Sequence, residues 1–497
     1  MKVHGNYPSA LEQKTIFSLC LLAALHVSFY AAAFPFFNNV DEPRHIDLVL
    51  KYSRGDIPRQ LELVERQSAM DLALYGGNFY LEAVTNDGEL LPQPWKLPAE
   101  KKAAWILPDS PLFQAVNYES SQPPLYYFAA ASAWRLLDGL GVPEGRKLYG
   151  MRFLNIPVIM LIVWLGWLTA KTVFPDNVFP RIALPAFIAC MPQSAFYSIQ
   201  NDVLSPLSFG SAFLGLLLLF QTEANDWRLG VLTGLALAAA FLTKMTNVPL
   251  LAIAALALAL FAWRLHCERK LRQALPAFAA LITCAAFPAL LWIGWCCKNF
   301  GDFTGSQPKV LFLGWTSKPF LDWFHHPIFT VPGAWTFLSE FLSEFWQGEI
   351  TWHRQPLCLP GVKAFYDLLT IVLLLIVLVR LIRRPLPAFD AEYRSLRFAF
   401  LLCAAALGFL IYISIRFDFH DCLYPSRVYP YLVSGRLTLG ALIPFMLLFV
   451  SGLNQLLVRA RLPLKFLILT CLLVIMLIAE FATNGPAFYD EYNWYHF

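Results

Sequence analysis

The residues best suited to chemistry stand near the start of the chain, where Asp41, Glu42 and His45 follow the first long apolar stretch. Adjacent carboxylates with a histidine one helical turn away could act as a general base, or could bind a divalent metal through their oxygens. Pro43 fits the first turn of a helix, so the same carboxylates could instead cap that helix and interact favourably with its dipole. The local sequence leaves both interpretations open.

A second polar group, Glu119 and Gln122, precedes a Pro-Pro pair and the tyrosines Tyr126 and Tyr127. The prolines begin a helix, and the tyrosines suit the headgroup level of a membrane, so an aromatic anchor is one interpretation. The other is that Glu119 and Gln122 face the same cleft as Asp41. Asp202, between two later apolar stretches, could likewise serve that cleft or cap a helix.

Two cations suggest that the cleft receives an anion. Lys244 lies in an otherwise apolar turn, where it could contact an anionic headgroup of a substrate, or could snorkel to membrane lipids. Arg436 ends a loop that contains two further arginines, and arginine suits bidentate binding of phosphate. Pairing of these arginines with aspartates of the same loop is the alternative.

The composition places these residues in a membrane protein. Apolar residues make up 58% of the 497 residues, charged residues only 14%, and the mean hydropathy is +0.53. An average soluble domain carries about 25% charged residues, so a soluble enzyme, a disordered chain and a disulfide-rich secreted module are excluded. The net charge of +4 is too small to indicate a nucleic-acid partner.

A membrane-spanning helix needs about 20 predominantly apolar residues. Eleven stretches suit such a helix: 16–37, 153–173, 180–200, 203–221, 229–246, 247–263, 275–297, 364–382, 398–415, 437–457 and 464–483. A weaker stretch at 125–140 is interrupted by Arg135 and Asp138, and we interpret it as an amphipathic helix on the outer surface. The predicted fold is therefore an all-α polytopic membrane protein with about 11 transmembrane helices.

The basic residues predict the orientation, because Lys and Arg are enriched in cytoplasmic loops. With the N-terminus inside and the C-terminus outside, basic segments such as 264–272 and 380–397 lie inside. Three large loops, at 38–150, 298–363 and 416–436, then lie on the outer face, and the polar residues described above all fall on that face. Cys358 and Cys422 are in separate outer loops, and the sequence leaves open whether they pair.

The order of these motifs resembles that of GT-C membrane glycosyltransferases, of the protein O-mannosyltransferase and aminoarabinose transferase type. The resemblance covers about residues 16–250. It rests on Asp41-Glu42 with His45, Gln122-Pro123-Pro124-Leu125-Tyr126-Tyr127, Arg152-Phe153, Asp202 and Thr243-Lys244. Later stretches at 298–305, 345–348 and 434–436 are similar to those of related uncharacterised bacterial membrane proteins. We expect a catalytic module over 1–250 and a variable module over 251–497.

The resemblance implies a sugar donor carried on a polyprenyl phosphate, and a lipid, glycan or protein acceptor met on the outer face of the membrane. Asp41 would be the general base or would orient the acceptor hydroxyl, with Glu42 and His45 supporting it. Lys244, together with Arg152 or Arg436, would bind the donor phosphate and stabilise the negative charge of the leaving group.

The acceptor cleft would contain Glu119, Gln122 and Asp202. Since some members of the superfamily use a divalent cation and others do not, Asp41, Glu42 and Asp202 are also candidate ligands for Mg²⁺ or Mn²⁺. The short connections favour a bacterial inner membrane, with the active site facing outside.

Two other functions stay open. A transporter or flippase of a lipid-linked sugar would place polar residues near the bilayer midplane, whereas the spans at 203–221, 247–263 and 464–483 are nearly free of ionisable groups. A non-catalytic envelope assembly subunit would keep its function when Asp41 is replaced by Asn. The charges gathered in large loops on one face favour an enzyme.

Overall fold

The computed structural model describes residues 10–39, 41–76, 93–105, 111–223, 226–352, 355–383, 390–488 and 493, which are mostly helical. The α-helices are α1 (Ala10–Ala33), α2 (Glu42–Ser53), α3 (Arg66–Tyr75), α4 (Ala99–Trp105), α5 (Leu125–Gly139), α6 (Glu144–Phe153), α7 (Asn155–Val173), α8 (Val178–Ala189), α9 (Ser205–Gln221), α10 (Trp227–Thr243), α11 (Val248–Cys267), α12 (Leu271–Phe300), α13 (Gln307–Phe312), α14 (Val331–Gln347), α15 (Pro360–Arg383), α16 (Ala391–Arg416), α17 (Leu442–Leu456) and α18 (Leu462–Phe488). The predicted all-α polytopic class is confirmed.

Within the described ranges, nine helical segments are long and apolar enough to cross a membrane. They are Ala10–Ala33, Glu144–Val173, Asn201–Gln221, Met245–Cys267, Leu271–Phe300, Pro360–Arg383, Ala391–Arg416, Gly435–Leu456 and Leu462–Phe488. Two shorter apolar helices, α8 and α10, account for the remaining two of the eleven predicted stretches. Each predicted stretch therefore overlaps one helix, while the span count and the orientation stay predictions.

Helix α5 is the weak stretch that we expected at the outer surface, and it is not among the spanning segments. It packs against α2, where the rings of Tyr52 and Tyr127 lie 5.5 Å apart. Tyr126 and Tyr127 are buried in this contact. They do not face lipid headgroups, so the aromatic-anchor interpretation is wrong, because α2 covers the face that carries them.

An irregular buried segment connects α8 and α9. The predicted span at 180–200 ends early, since α8 stops at Ala189 and is followed by short 3₁₀ helices at Ser194–Tyr197 and Asn201–Leu204. Non-helical backbone is tolerated at membrane depth only where the protein itself satisfies its polar groups. Asn155 does so here, donating to the carbonyls of Phe196 and Ser198 at 3.1 and 2.8 Å.

The described residues form three two-stranded antiparallel sheets in the long loops: β1 (Glu62–Leu63) with β2 (Val116–Asn117), β3 (Thr316–Ser317) with β6 (Phe417–Asp418), and β4 (Thr351–Trp352) with β5 (Gln355–Pro356). Register pairs such as Leu63 with Val116 define them. An isolated bridge also joins Asn39 to Ile350. This bridge brings the residues after α1 beside those after α14. Cys358 and Cys422 are free thiols.

Candidate active site

The centre of the site is the buried guanidinium of Arg436, in the 3₁₀ helix Gly435–Ala441 that precedes α17. Its Nη2 donates to Asp41 Oδ2 at 2.6 Å. Its Nη1 donates to Asp202 Oδ2 and to Gln200 Oε1, both at 3.2 Å, and its Nε donates to Glu349 Oε2 at 3.2 Å. Arg436 therefore joins three carboxylates that are far apart in the sequence.

Lys244 is the second buried cation. It lies between α10 and the 3₁₀ helix Met245–Asn247, and its Nζ donates to Asp202 Oδ1. The side chains of Lys244 and Asp202 are 5% and 0% exposed, so Lys244 does not snorkel to membrane lipids. Removal of either partner would leave the other charge buried and uncompensated, which is costly. The pair is part of the interior of the site.

Asp41 combines an unusual backbone with a strongly stabilised charge. Its φ is +65°, a left-handed conformation that is uncommon for a residue with a side chain and that often marks functional sites. Burial alone would raise the pKa of Asp41, but the nearby charges of Arg436 and Lys309 hold this pKa well below its usual range. Its Oδ1 accepts a hydrogen bond from the Tyr118 hydroxyl at 2.5 Å. The carboxylate is therefore ionised at neutral pH.

Glu119 and Gln122 reach the same site from the segment before α5. The amide nitrogen of Gln122 donates to Glu119, and Asn201 Nδ2 donates to Gln122 Oε1 at 3.0 Å. Lys309, in α13, donates to the other oxygen of Glu119. These contacts bring Glu119 and Gln122 beside Asn201, the neighbour of Asp202, while their role in a cleft with Asp41 stays a prediction.

Two cations, Arg44 and Lys309, lie over the ring of Tyr118 at the less buried side of the site, called here the Tyr118 side. Lys309 Nζ lies 5.1 Å from the centroid of this ring, and the Arg44 guanidinium carbon lies 5.5 Å from it. The Phe312 ring stacks on Tyr118 at 6.3 Å. Arg44 and Lys309 are only partly buried, and the Arg44 guanidinium forms no ion pair with any residue in the described ranges. This side can accept an anionic group.

His45 is buried beneath the site. Its Nδ1 lies 2.7 Å from the Tyr127 hydroxyl. Burial lowers the pKa of His45 to about 4, so the ring is neutral at physiological pH. Its position beside Tyr127 suits a supporting role for the α2–α5 contact.

Glu42 and Arg152 form a separate buried pair. Arg152 donates from Nε and Nη2 to the two carboxylate oxygens of Glu42, each at 2.8 Å. Its guanidinium also donates to backbone carbonyls at the end of α1, including that of Pro35 at 2.8 Å. Backbone N–H groups of Phe37 and Ile199 complete the shell of Glu42, at 2.9 Å each. This geometry supports a structural role for the pair and does not support donor binding by Arg152.

The proposed metal ligands are not brought to one point. The oxygens of Glu42 are taken by Arg152 and backbone N–H groups, and Asp41 and Asp202 are joined by Arg436. No group of three or more His, Cys, Asp or Glu side chains within the described ranges is arranged to hold an ion. Asp41, Glu42 and Asp202 therefore do not fit a Mg²⁺ or Mn²⁺ site.

Four contributors were missed by reasoning from the sequence. Arg44 and Tyr118 lie in the stretches that contain Asp41 and Glu119, but nothing in their position along the sequence marks either of them as a site residue. Glu349 directly follows the 345–348 stretch, and Lys309 lies in a loop without a motif. Only the fold shows that Tyr118 and Lys309 bond to Asp41 and Glu119, that Arg44 lies over Tyr118, and that Glu349 pairs with Arg436.

Comparison with known protein families supports the expected class. Residues 121–292 match the model of a family described as dolichyl-phosphate-mannose-protein mannosyltransferase. The resemblance to GT-C membrane glycosyltransferases is confirmed. The matched region contains Gln122, Arg152, Asp202 and Lys244, whereas Asp41 lies outside it. No curated protein matches the chain.

Two solved structures of an oligosaccharyltransferase from Archaeoglobus fulgidus are similar to the chain. One is archaeal oligosaccharyltransferase AglB in complex with an inhibitory peptide and a dolichol-phosphate, with 11% identity and a TM-score of 0.43 over 97% of this chain and 56% of that chain. The other is the apo form, with 11% identity and a TM-score of 0.41 over 95% and 56%. The chain thus spans about half the length of these proteins.

Proposed function

We propose that this protein transfers a sugar from a polyprenyl-phosphate donor to an acceptor hydroxyl at the outer face of a bacterial inner membrane. The observation that carries the proposal is an ionised Asp41, its side chain 13% exposed, whose carboxylate accepts from the Tyr118 hydroxyl beside the partly exposed cations Arg44 and Lys309. A carboxylate that accepts a proton and cations that neutralise a leaving phosphate are the two groups that such a transfer needs. The family match over residues 121–292 supports the same class of reaction.

The donor phosphate would bind against Arg44 and Lys309. The sequence pointed to Lys244 and Arg436 for this role, but both cations are themselves buried and already pair with carboxylates of the site. Lys309 also pairs with a carboxylate, that of Glu119, but its side chain is 30% exposed, so it is the more accessible cation. Arg44 has a planar guanidinium suited to two phosphate oxygens. Lys244 and Arg436 would then contribute positive potential from behind the phosphate.

The apolar chain of the donor would leave the site along α13. On this short helix, Leu311 and Phe312 follow Lys309 by two and three residues, and both are largely exposed. An exposed apolar surface next to a cation matches a lipid that carries a phosphate at one end. The acceptor would approach Asp41 from the side of Glu119 and Gln122.

In the transfer, the acceptor hydroxyl oxygen attacks the anomeric carbon of the sugar. The bond between that carbon and the phosphate oxygen breaks, and polyprenyl phosphate leaves with the electron pair. Asp41 takes the proton of the hydroxyl. In the free protein its lowered pKa makes it a weak base. A bound phosphate would offset the charges of Lys309 and Arg436, raise the pKa of Asp41 and so make it a stronger base when the donor is present.

The experiment uses purified protein in lipid with a panel of polyprenyl-phosphate sugars, and measures the release of polyprenyl phosphate. Asp41→Asn keeps the shape of the side chain and removes its charge, so turnover should fall by about 100-fold or more. Asp56→Asn is the matched control, because Asp56 is exposed in the same outer loop. Equal turnover by the wild type and Asp41→Asn would move the base elsewhere, and no turnover by the wild type would reject the proposal.

A transporter of a lipid-linked sugar is the second candidate, and one observation favours it. Glu480 of α18, in a span that we had described as nearly free of ionisable groups, is buried against His26 of α1 at 2.6 Å and against Tyr197. Intramembrane ionisable residues often mark transport pathways. Loss of lipid-linked sugar movement across proteoliposomes in Glu480→Gln, with no chemical turnover in the wild type, would support this alternative.

A further inference from the structure

The three carboxylates around Arg436 raise the question of which cation this site uses. Asp41 comes from the loop after α1, Asp202 from the irregular segment before α9, and Glu349 from the residues after α14. Their oxygens accept hydrogen bonds from Arg436 at 2.6, 3.2 and 3.2 Å. Carboxylates that converge from separate segments can supply oxygen ligands to a divalent cation. Here they surround a guanidinium.

The remaining oxygen of each carboxylate is also occupied. Asp41 Oδ1 accepts from the Tyr118 hydroxyl, and Asp202 Oδ1 accepts from Lys244. Glu349 Oε1 accepts from the hydroxyl of Ser434. All six oxygens therefore have a donor, so an ion would have to compete with the side chains that hold the carboxylates in place.

The surroundings of Arg436 keep its guanidinium in this position. Its side chain is 8% exposed, and its neighbour Gly435 lies so close to α14 that an added Cβ would come within 2.1 Å of the Phe345 backbone nitrogen. Gln200 Oε1 accepts a further hydrogen bond from Nη1. Unlike a bound ion, this cation cannot be lost, exchanged or removed by a chelator.

We infer that Arg436 is the resident cation of the site and takes the place of a divalent metal, so that transfer proceeds without Mg²⁺ or Mn²⁺. The inference rests on the proposed function for the reaction, but the cation itself can be tested without turnover. Arg436 acts as a positioning residue, because it fixes Asp41 towards Tyr118 and Asp202 towards Lys244. The planar guanidinium of Arg436 donates to all three carboxylates and so holds these like charges close together.

The test measures Mn²⁺ binding by electron paramagnetic resonance of purified protein in lipid. Arg427→Ala is the matched control, because Arg427 pairs with Asp418 at the surface of the wild type. The wild type and this control should both bind Mn²⁺ equally weakly. Arg436→Ala removes the guanidinium from between three carboxylates and should bind Mn²⁺ at least about 10-fold more tightly than the wild type. Arg436→Lys keeps one positive charge, so it should fold and stay without Mn²⁺.

Several results would overturn the inference. One is stoichiometric Mn²⁺ binding by the wild type that is lost in Asp202→Asn, and another is an Arg436→Ala protein that folds but gains no affinity. A third is turnover that a chelator abolishes and Mn²⁺ restores. Failure of the proposed function looks different, because the wild type would then release no polyprenyl phosphate with or without a chelator, while the Mn²⁺ binding series would be unaffected.

Discussion

At the scale of single residues, charges that neutralise one another hold the site together, and the Glu42–Arg152 pair is the most enclosed of them. Both side chains are fully buried, and their two parallel hydrogen bonds are joined by bonds to backbone groups. Such a pair fixes the chain between α1 and α2 relative to α6. It therefore determines where Asp41 lies without contacting it.

Replacing Glu42 by Gln should destabilise the protein, because Arg152 would keep a buried charge with no carboxylate beside it. Breaking a buried pair in this way costs about 3–5 kcal/mol, whereas exposed pairs contribute about 0–1 kcal/mol. The measurement is the apparent melting temperature in lipid, compared with Arg54→Gln, in which the lost pair with Glu65 lies at the surface. Equal losses in the two variants would contradict the structural role of Glu42.

The pH dependence of turnover should show no transition from His45. Because burial holds its pKa at about 4, the imidazole stays neutral as the pH falls from about 8 to about 5.5. Asp41, whose pKa is lowered, stays ionised over the same range in the free protein. A pH–rate profile of kcat/KM should therefore be flat across this interval. A transition near pH 6.5 that disappears in His45→Gln would show that the histidine titrates in the active protein.

Donor recognition should depend on Lys309. Loss of one charge-assisted contact to phosphate costs about 1.5–3 kcal/mol, which is about a 10- to 100-fold effect. Lys309→Gln should therefore raise the KM for the donor by at least about 10-fold, while Lys309→Arg should retain most of the affinity. Lys318→Gln, in the same loop between α12 and α14, is the control. An unchanged KM in Lys309→Gln would move the phosphate towards Lys244.

Reasoning from the sequence located much of this site but could not assign its pairs. Asp41, Asp202, Lys244 and Arg436 were all singled out, and they lie together in the structure. Arg152 looked like a phosphate ligand because nothing in its local sequence reveals a carboxylate 110 positions earlier as its partner. Pairing between distant buried charges is decided by the tertiary fold.

At the scale of elements, the irregular segment between α8 and α9 forms the floor of the site. It carries Gln200 and Asp202, the side chain of Asn155 in α7 donates to its backbone carbonyls, and one of its own side chains donates to the backbone of α14. Gln193, for example, donates to the carbonyl of Phe345 at 2.7 Å. The sequence does hold a signal for the early end of α8, because Pro192 follows Ala189 by three residues, but the span predicted at 180–200 ran through it. Side chains from distant parts of the sequence bond to the backbone of this segment in place of helical hydrogen bonds.

The close contact between α14 and the 3₁₀ helix that carries Arg436 can be tested at Gly435. A Cβ at Gly435 would overlap the backbone of Phe345, whereas a Cβ at Gly408 of α16 would meet nothing within 4 Å. Gly435→Ala should push Arg436 away from Glu349 and lower turnover by about 10-fold or more, since small displacements in an active site are costly. Gly408→Ala should leave turnover unchanged. Equal activity of both variants would show that this contact does not position the site.

At the scale of the whole molecule, the site draws on both ends of the chain. Asp41, Asp202 and Lys244 come from the predicted catalytic module over 1–250, whereas Lys309 and Arg436 come from 251–497. A division of the chain at residue 250 would therefore separate the cation from its carboxylates. We propose that the second half completes the active site in addition to varying its specificity.

The orientation of the molecule decides which side of the membrane the site faces. Residues predicted to lie inside and outside occupy opposite ends of α1: Arg181 bonds to Glu12 at the start of this helix, at 2.9 Å, and Asp41 follows its end. An Arg272→Cys variant in a cysteine-free background should react with an impermeant maleimide only after the cytoplasmic face is opened. Leu423→Cys, which is 98% exposed in the protein, should react from outside in intact cells. The reverse pattern would place Asp41 and its donor in the cytoplasmic half and reject an outward-facing active site.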